Sequence, residues 1–251
     1  MRRWVLLRGL AREAGHWGAF PQLLARATGD EVLAPDLPGN GLRFAERSPA
    51  SIAAMVADLR GQLRPSPQPI VLLAMSLGAM VAIEWARQAP QELAGCVLVN
   101  TSAGGASPFW HRLRPRNYGT LVRLLWPGTG PVQREAAVLR MTTSAPVSHA
   151  DTVARWTTLA REHPVSPANA ARQLWSAARY SVPEQKPAVP LLLLGSAGDA
   201  LVHPSCSVRL AQRWQADLHM HPWAGHDLPL DDATWVLEQV TGWSRATLPA
   251  R

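Results

Sequence analysis

Residues Pro69 to Ala86 read PIVLLAMSLGAMVAIEWA. Ile70 to Leu73 make a short apolar run behind a Pro-rich segment, the pattern of a buried strand. From Met80 through Trp85 the chain continues without Gly or Pro until Pro90, as a helix does. Between the two stands Ser76, with the small residues Ala74 and Gly78 two positions to either side. Such a turn brings strand and helix backbones almost into contact and leaves no room for large side chains at those two places. It also sets the Ser76 hydroxyl at a helix N-terminus, where backbone N–H groups favour developing negative charge. The pattern is G-x-S-x-G with its first Gly enlarged by one methyl group, and it makes Ser76 a candidate nucleophile. Any buried strand–turn–helix can carry a serine, so the reading turns on partners that follow in the right order.

The 251 residues suffice for a single α/β domain with a large core, and 47% hydrophobic against 17% charged residues describes an ordinary soluble globular chain. Residues 65–83 carry no charge, but three prolines and the sharp turn interrupt them, which favours strand plus helix over a membrane span. Only Trp4 to Leu7 separate Arg2-Arg3 from Arg8, too short for a signal-peptide core, so a cytoplasmic location is expected. Cys96 and Cys206 lie in apolar or helical contexts and read as reduced packing residues. The net charge of +7 is carried by 24 Arg and the single Lys186. Between Pro108 and Pro187 eleven basic residues face only Glu135, Asp151, Glu162 and Glu184, so the whole excess lies in that segment.

In chain order, Trp4–Leu7 is a first strand, His16–Ala27 a helix and Val32–Ala34 a second strand. The turn-rich Asp36–Gly41 follows, and then a helix capped by Ser51, with Ile52, Met55, Val56 and Leu59 at helical spacing. After the Ser76 unit come strands at Cys96–Val99, Leu191–Leu194 and Leu218–His221, with helices at Pro204–Trp214 and Asp231–Trp243. This alternation predicts a mostly parallel, doubly wound sheet. Residues 108–187 interrupt it with helical stretches near 117–126, 131–144, 148–163 and 166–181, for which Ser148 and Ser166 are good N-caps. Two units are therefore expected, a core of 1–107 and 188–251 and an inserted helical cap of 108–187. In open α/β sheets ligands bind beyond the carboxyl ends of the strands, so this cap would roof the site.

The candidate chemistry falls just after strands. Ser76 follows the third, Asp199 lies in LLLLGSAGDALV after the fifth, and His226 lies in PWAGHDLPLDD after the sixth. Chain order Ser, Asp, His is that of a nucleophile, an orienting acid and a base. Asp227, Asp231 and Asp232 compete for the acid role but sit at or beyond the base. Asn100-Thr101 stands after the fourth strand and offers no carboxylate there. The other histidines, His16, His111, His149, His163, His203, His219 and His221, form no metal motif, and no cofactor is implied. Backbone N–H groups of Leu77 and Leu10 are the expected oxyanion donors. Val138 and Met141, on one face of the 131–144 helix, either line an acyl pocket or pack against neighbouring helices.

LLRGL resembles an apolar strand followed by H-G with Arg8 in place of the His. APDLPGNG resembles a D-x-P-G-x-G loop, AMSLGAM the serine elbow, GSAGDALV the acid loop and WAGHDLPL the base loop. Outside the cap, nearly the whole chain resembles the α/β-hydrolase superfamily, most of all pimeloyl-acyl-carrier-protein methyl ester carboxylesterases and neighbouring small esterases. The resemblance implies a cofactor-independent serine ester hydrolase, with acyl-thioesterase or acyltransferase chemistry, or a slow-turnover ligand receptor, as alternatives. It also implies that Trp4 begins the family's third strand, leaving an abbreviated sheet with an exposed edge or a partner on it. Arg8 either reaches an anionic substrate or makes a structural bond to the loop. An acyl carrier protein would dock on the basic cap through Arg112, Arg114 and Arg116 at its entrance. Arg172 and Arg179, two helical turns apart, would join them, both facing solvent with Leu174, Ala171 and Ala178 on the other side.

Overall fold

The computed structural model describes residues 2–63, 68–124, 128–145 and 149–248. Six parallel strands form one sheet, β1 (Arg3–Leu7), β2 (Glu31–Leu33), β3 (Ile70–Met75), β4 (Leu93–Val99), β5 (Leu191–Ser196) and β6 (Asp217–His221), in the order β2-β1-β3-β4-β5-β6. Side chains alternate between two apolar layers, as a strand's period of two requires. Val5, Leu7, Leu72, Ala74, Cys96, Leu98, Leu191 and Leu193 face one layer. It is completed by α2 (Ile52–Gln62), α3 (Leu77–Gln88) and, beyond the fifth strand, the helix Ser205–Trp214. Trp4, Leu6, Val71, Leu73, Val97, Val99, Leu192 and Leu194 face the other, against α1 (Phe20–Thr28) and the C-terminal helix Ala233–Thr247. Strands buried on both faces explain why they read as continuous apolar runs rather than alternating ones.

The chain runs from β1 outward to β2 and then crosses back to β3 on β1's other side. That reversal opens a crevice at the carboxyl ends of β1 and β3. The loop after β1 and the Ser76 turn after β3 are neighbours for this reason. At position 78, a Cβ would lie 2.6 Å from the carbonyl oxygens of both Leu7 and Arg8, so only glycine lets α3 lie against β1.

Between β4 and β5 the described residues form α4 (Phe109–Arg112), a 3-10 turn at Pro115–Asn117, α5 (Tyr118–Leu124), α6 (Pro131–Thr142), α7 (His149–Glu162) and α8 (Pro167–Arg179). The four expected helical stretches are present. α4 is a single turn, too short to leave a periodic signal, and the Ser148 cap lies outside the described residues. Ser166 accepts from the Asn169 N–H and starts α8. The segment leaves and re-enters the core side by side, through a parallel bridge of Gly104 and Ser181. The helix expected from His16 begins instead as a 3-10 turn, Ala14–Trp17. Gly18 at φ +58° then separates it from α1. α9 (Ser205–Trp214), α10 (Leu228–Asp231) and α11 (Ala233–Thr247) complete the chain, and α11 continues past Trp243.

Gly78→Ala should lower stability by about 1–3 kcal/mol, the usual cost of forcing an extra methyl into a packed contact. Urea unfolding followed by circular dichroism measures this, and a midpoint unchanged from wild type would contradict the close packing.

Candidate active site

Ser76 has φ +53° and ψ −115°, a left-handed conformation that a residue with a Cβ adopts only when its surroundings hold it. Its N–H donates to Val99 O at 3.0 Å, and its carbonyl accepts from Thr101 Oγ1 at 3.0 Å. Leu77 opens α3, so its N–H belongs to the orphan donors of the first helical turn. Gly9 lies against Ser76 closely enough that a Cβ there would stand 3.2 Å from the serine's Cβ. Ser76, Leu77, Leu10 and His226 line one cavity of about 350 Å³, in the range of small-molecule sites.

The structure pairs Asp199 with His226: Oδ2 lies 2.7 Å from Nδ1, both side chains buried. The other oxygen of Asp199 accepts from the Leu201 and Val202 N–H groups at 2.8 and 2.9 Å, which fixes the carboxylate in its loop. With Nδ1 so engaged, Nε2 is the nitrogen of His226 left for chemistry. Burial opposes a charge on the imidazole, but Asp199 and then Asp227 outweigh it and hold the His226 pKa above the ordinary histidine value.

The competing carboxylates have other partners. Asp231 accepts from the Gly225 N–H at 2.6 Å, the Ser144 N–H at 2.9 Å and the Thr143 hydroxyl, bracing the base loop. Asp232 caps α11 through Trp235 N–H at 2.9 Å. Asp227 binds Arg8 in a two-pronged ion pair of 2.6 and 3.1 Å, buried on both sides. Burial would raise the Asp227 pKa, but the Arg8 guanidinium holds the carboxyl below its usual range. Of the two readings of Arg8, the bond to the base loop is the one realised. It joins the residue before Gly9-Leu10 to the residue after His226, so one ion pair sets the spacing between the two loops. Removing either partner alone would leave an uncompensated buried charge, a cost of about 3–5 kcal/mol.

Asn100 carries no signal of function in the sequence beyond its place after a strand. It adopts φ +45° and donates from Nδ2 to Ser196 Oγ and to the carbonyls of Gly225 and His226 at 2.8, 3.1 and 2.9 Å. An asparagine tolerates that left-handed backbone better than most residues, and it ties the fourth strand's end to the base loop.

Val138 and Met141 both line the cavity, together with Leu121, Leu159 and Leu174 of α5, α7 and α8. The arginines of this segment are placed differently from expectation. Arg112 donates to the carbonyls of Ala177, Ala178 and Tyr180, the negative end of α8. Arg114 donates to Asp199 O at 2.9 Å and Arg116 to Ala200 O at 3.2 and 3.3 Å, clasping the acid loop. Arg172 does not point freely to solvent. It is half-buried, and its Nε donates to Ser48 O at 2.7 Å. Arg179 is exposed over the Trp175 ring, as expected, while Ala171 and Leu174 line the cavity yet stay exposed and Ala178 is exposed outside it. The buried residues of α8 are the polar Asn169, Gln173 and Ser176. The helix packs onto loops with backbone groups to satisfy, so it turns its hydrogen-bonding face inward.

A family model described as the alpha/beta hydrolase family matches residues 4–239. The chain belongs to that family. Among solved structures, it is similar to a thermophilic esterase from Thermogutta terrifontis (22% identity over 99% of this chain and 91% of that one, TM-score 0.77). It is also similar to the enol-lactonase from Burkholderia xenovorans LB400 (18% identity, 97% and 91%, TM-score 0.77). A third similar structure is an esterase from Rhodococcus sp. (20% identity, 98% and 91%, TM-score 0.76). At these identities the likeness is one of fold. No curated protein matches the chain in sequence. Among the described residues no helix is long and apolar enough to cross a membrane.

A base must be neutral to take a proton, so with His226 in that role its raised pKa moves the acidic limb of kcat/KM upward. The limb should fall above the ordinary histidine value of about 6.5. Asp199→Asn should shift it down and lower kcat by roughly 10⁴. A wild-type limb below the ordinary histidine value, or an Asp231→Asn variant more damaged than Asp199→Asn, would contradict the pairing.

Proposed function

We propose that this protein is a serine carboxylic-ester hydrolase that works through an acyl-enzyme. The observation that carries the reading is the 2.7 Å contact of Asp199 with His226, beside a strained Ser76 turned into the same cavity. In this reading His226 Nε2 takes the Ser76 hydroxyl proton as Oγ forms a bond to the ester carbonyl carbon. The carbonyl oxygen becomes an oxyanion and receives hydrogen bonds from the Leu10 and Leu77 N–H groups. Collapse breaks the bond to the leaving alkoxide, which takes the proton from His226. Water then repeats the sequence, releasing the acid and restoring Ser76. Asp199 keeps the imidazole in the tautomer with Nε2 free and stabilises its cation. The apolar lining with Val138 and Met141 supports an acyl chain as the group bound there. Ser76→Ala should reduce turnover of short p-nitrophenyl esters by on the order of 10⁶, and a variant keeping a tenth of wild-type rate would overturn the mechanism.

For the substrate, we propose an acyl ester presented on an anionic carrier, of which a pimeloyl-type methyl ester on acyl carrier protein, as in biotin synthesis, is the example that the motif resemblance suggests. Its support is the concentration of the entire +7 charge in 108–187. Arginines that hold backbone carbonyls keep their positive charge, and Arg179 remains open to direct contact. Attraction over the surface is screened at about 10 Å in 0.1 M salt. kcat/KM for a carrier-bound ester should therefore fall steeply with salt while that for a small neutral ester hardly changes. Equal salt dependence for both would remove the carrier from the proposal.

A further inference from the structure

The loop after β1 has an unusual turn. Arg12 N–H donates to Gly9 O at 3.3 Å, closing Gly9-Leu10-Ala11-Arg12 into a β-turn. Ala11, its third residue, has φ +54°. That position of a type II turn favours glycine or asparagine, and an alanine there is held against its own preference. The turn decides where Leu10 N–H points. In a planar trans peptide the C=O and N–H point in opposite directions, so holding Gly9 O toward Arg12 aims Leu10 N–H away from the turn.

What holds the turn comes from 162 positions further along the chain. Gln173 on α8 is fully buried, at 0% exposure, and every hydrogen-bonding group of its side chain has a partner. Its Oε1 accepts from Ala11 N–H at 2.8 Å. Its Nε2 donates to Asn40 Oδ1 at 2.9 Å and to Ser48 Oγ at 3.0 Å. Asn40 in turn donates from Nδ2 to Arg12 O at 3.1 Å, so the turn is gripped at two successive residues by one network. One helical turn earlier on the same face, Asn169 accepts from Ser48 N–H at 2.9 Å and donates to Glu46 O at 2.8 Å. A buried polar network that is completely satisfied is rigid, and one missing member leaves costly unpaired groups.

We infer that Gln173 is a positioning residue of the oxyanion site: by accepting from Ala11 N–H it holds the Gly9–Arg12 turn closed, which keeps Gly9 O on Arg12 N–H and Leu10 N–H aimed at the cavity. The inference rests on the reading of Leu10 N–H as an oxyanion donor. Without the Gln173 acceptor, Ala11 N–H loses its partner, the alanine relaxes out of the left-handed region, and the turn that holds Gly9 O on Arg12 N–H opens, releasing Leu10 N–H. The amide acts on the transition state through the backbone, so its loss falls on kcat rather than on substrate binding.

Gln173→Met keeps the side chain's length and removes all three hydrogen bonds. With a short p-nitrophenyl ester, kcat should fall tenfold or more while KM stays within about threefold, the pattern of an interaction made only in the transition state. Ala11→Gly added to Gln173→Met should restore kcat several-fold, because glycine adopts φ > 0 without strain. Thermal melts of both variants are taken alongside. A lower melting temperature with kcat unchanged at 25 °C, or no recovery in the double variant, would make Gln173 purely structural and overturn the inference. If Gln173→Met does not fold, Gln173→Glu retains the acceptor for Ala11 and is read the same way, with a kcat above that of Gln173→Ala expected and equal values refuting it. An inactive wild type would instead refute the hydrolase reading itself, which separates the two failures.

Discussion

The contact on which this molecule depends is that of α3's first turn with the end of β1. A Cβ on Gly78 would meet the Leu7 and Arg8 carbonyl oxygens at 2.6 Å, so the helix leaves β3 with no space for a gentler bend. That closeness puts Ser76 in a left-handed conformation and Gly9 against it, and it makes Leu10 the next residue along the crevice. The strand order supplies the crevice itself, since β1 and β3 are adjacent while the chain visits β2 between them. Ser76, Leu77 and Leu10 are thus juxtaposed by packing before any polar interaction is considered. The polar interactions then refine the geometry. Arg8–Asp227 ties the base loop to the strand end, Asn100 ties it to β4, and Asp231 ties it to residues 143 and 144.

Much of this was legible from sequence because it is local. A strand, a sharp turn and a helix are written in Ile70–Ala86 by apolar periodicity and by small residues at fixed offsets. The pairing of Asp199 with His226 was legible because each residue follows a strand, and β5 and β6 are neighbours in the sheet. The Asp199–His226 pairing spans only 27 positions. Arg8 and Asp227 are 219 apart, and Ala11 and Gln173 162 apart, and no spacing rule reaches across such distances. The helices of 108–187 were found by their period, but the face that α8 buries was not. Periodicity assumes that apolar residues turn inward, and α8 turns Asn169, Gln173 and Ser176 inward because it meets loop backbone rather than a sheet. Leu174 is exposed at 41% as a consequence, at the rim of the cavity.

The same inversion explains where the basic excess sits. Arg112, Arg114, Arg116 and Arg172 each donate to main-chain carbonyls, three of them on the core side of the segment's contacts. Guanidinium groups suit this work because their donors fan out in a plane and the charge persists at any ordinary pH. Arginines that look like a docking surface in a sequence are here clamps: Arg114 and Arg116 onto the loop of Asp199, Arg172 onto Ser48, and Arg112 onto the end of α8. The charge remains with these groups, so the residues that attach the helices also carry much of the segment's basic excess.

The central claim is that Ser76 is the nucleophile. The most direct measurement is the intact mass and peptide map of the protein after reaction with a fluorophosphonate. The account predicts a single adduct per chain, on the peptide containing Ser76, and none on the Ser76→Ala variant. An adduct on another residue, or an unmodified Ser76 in protein that still turns over esters, would contradict it.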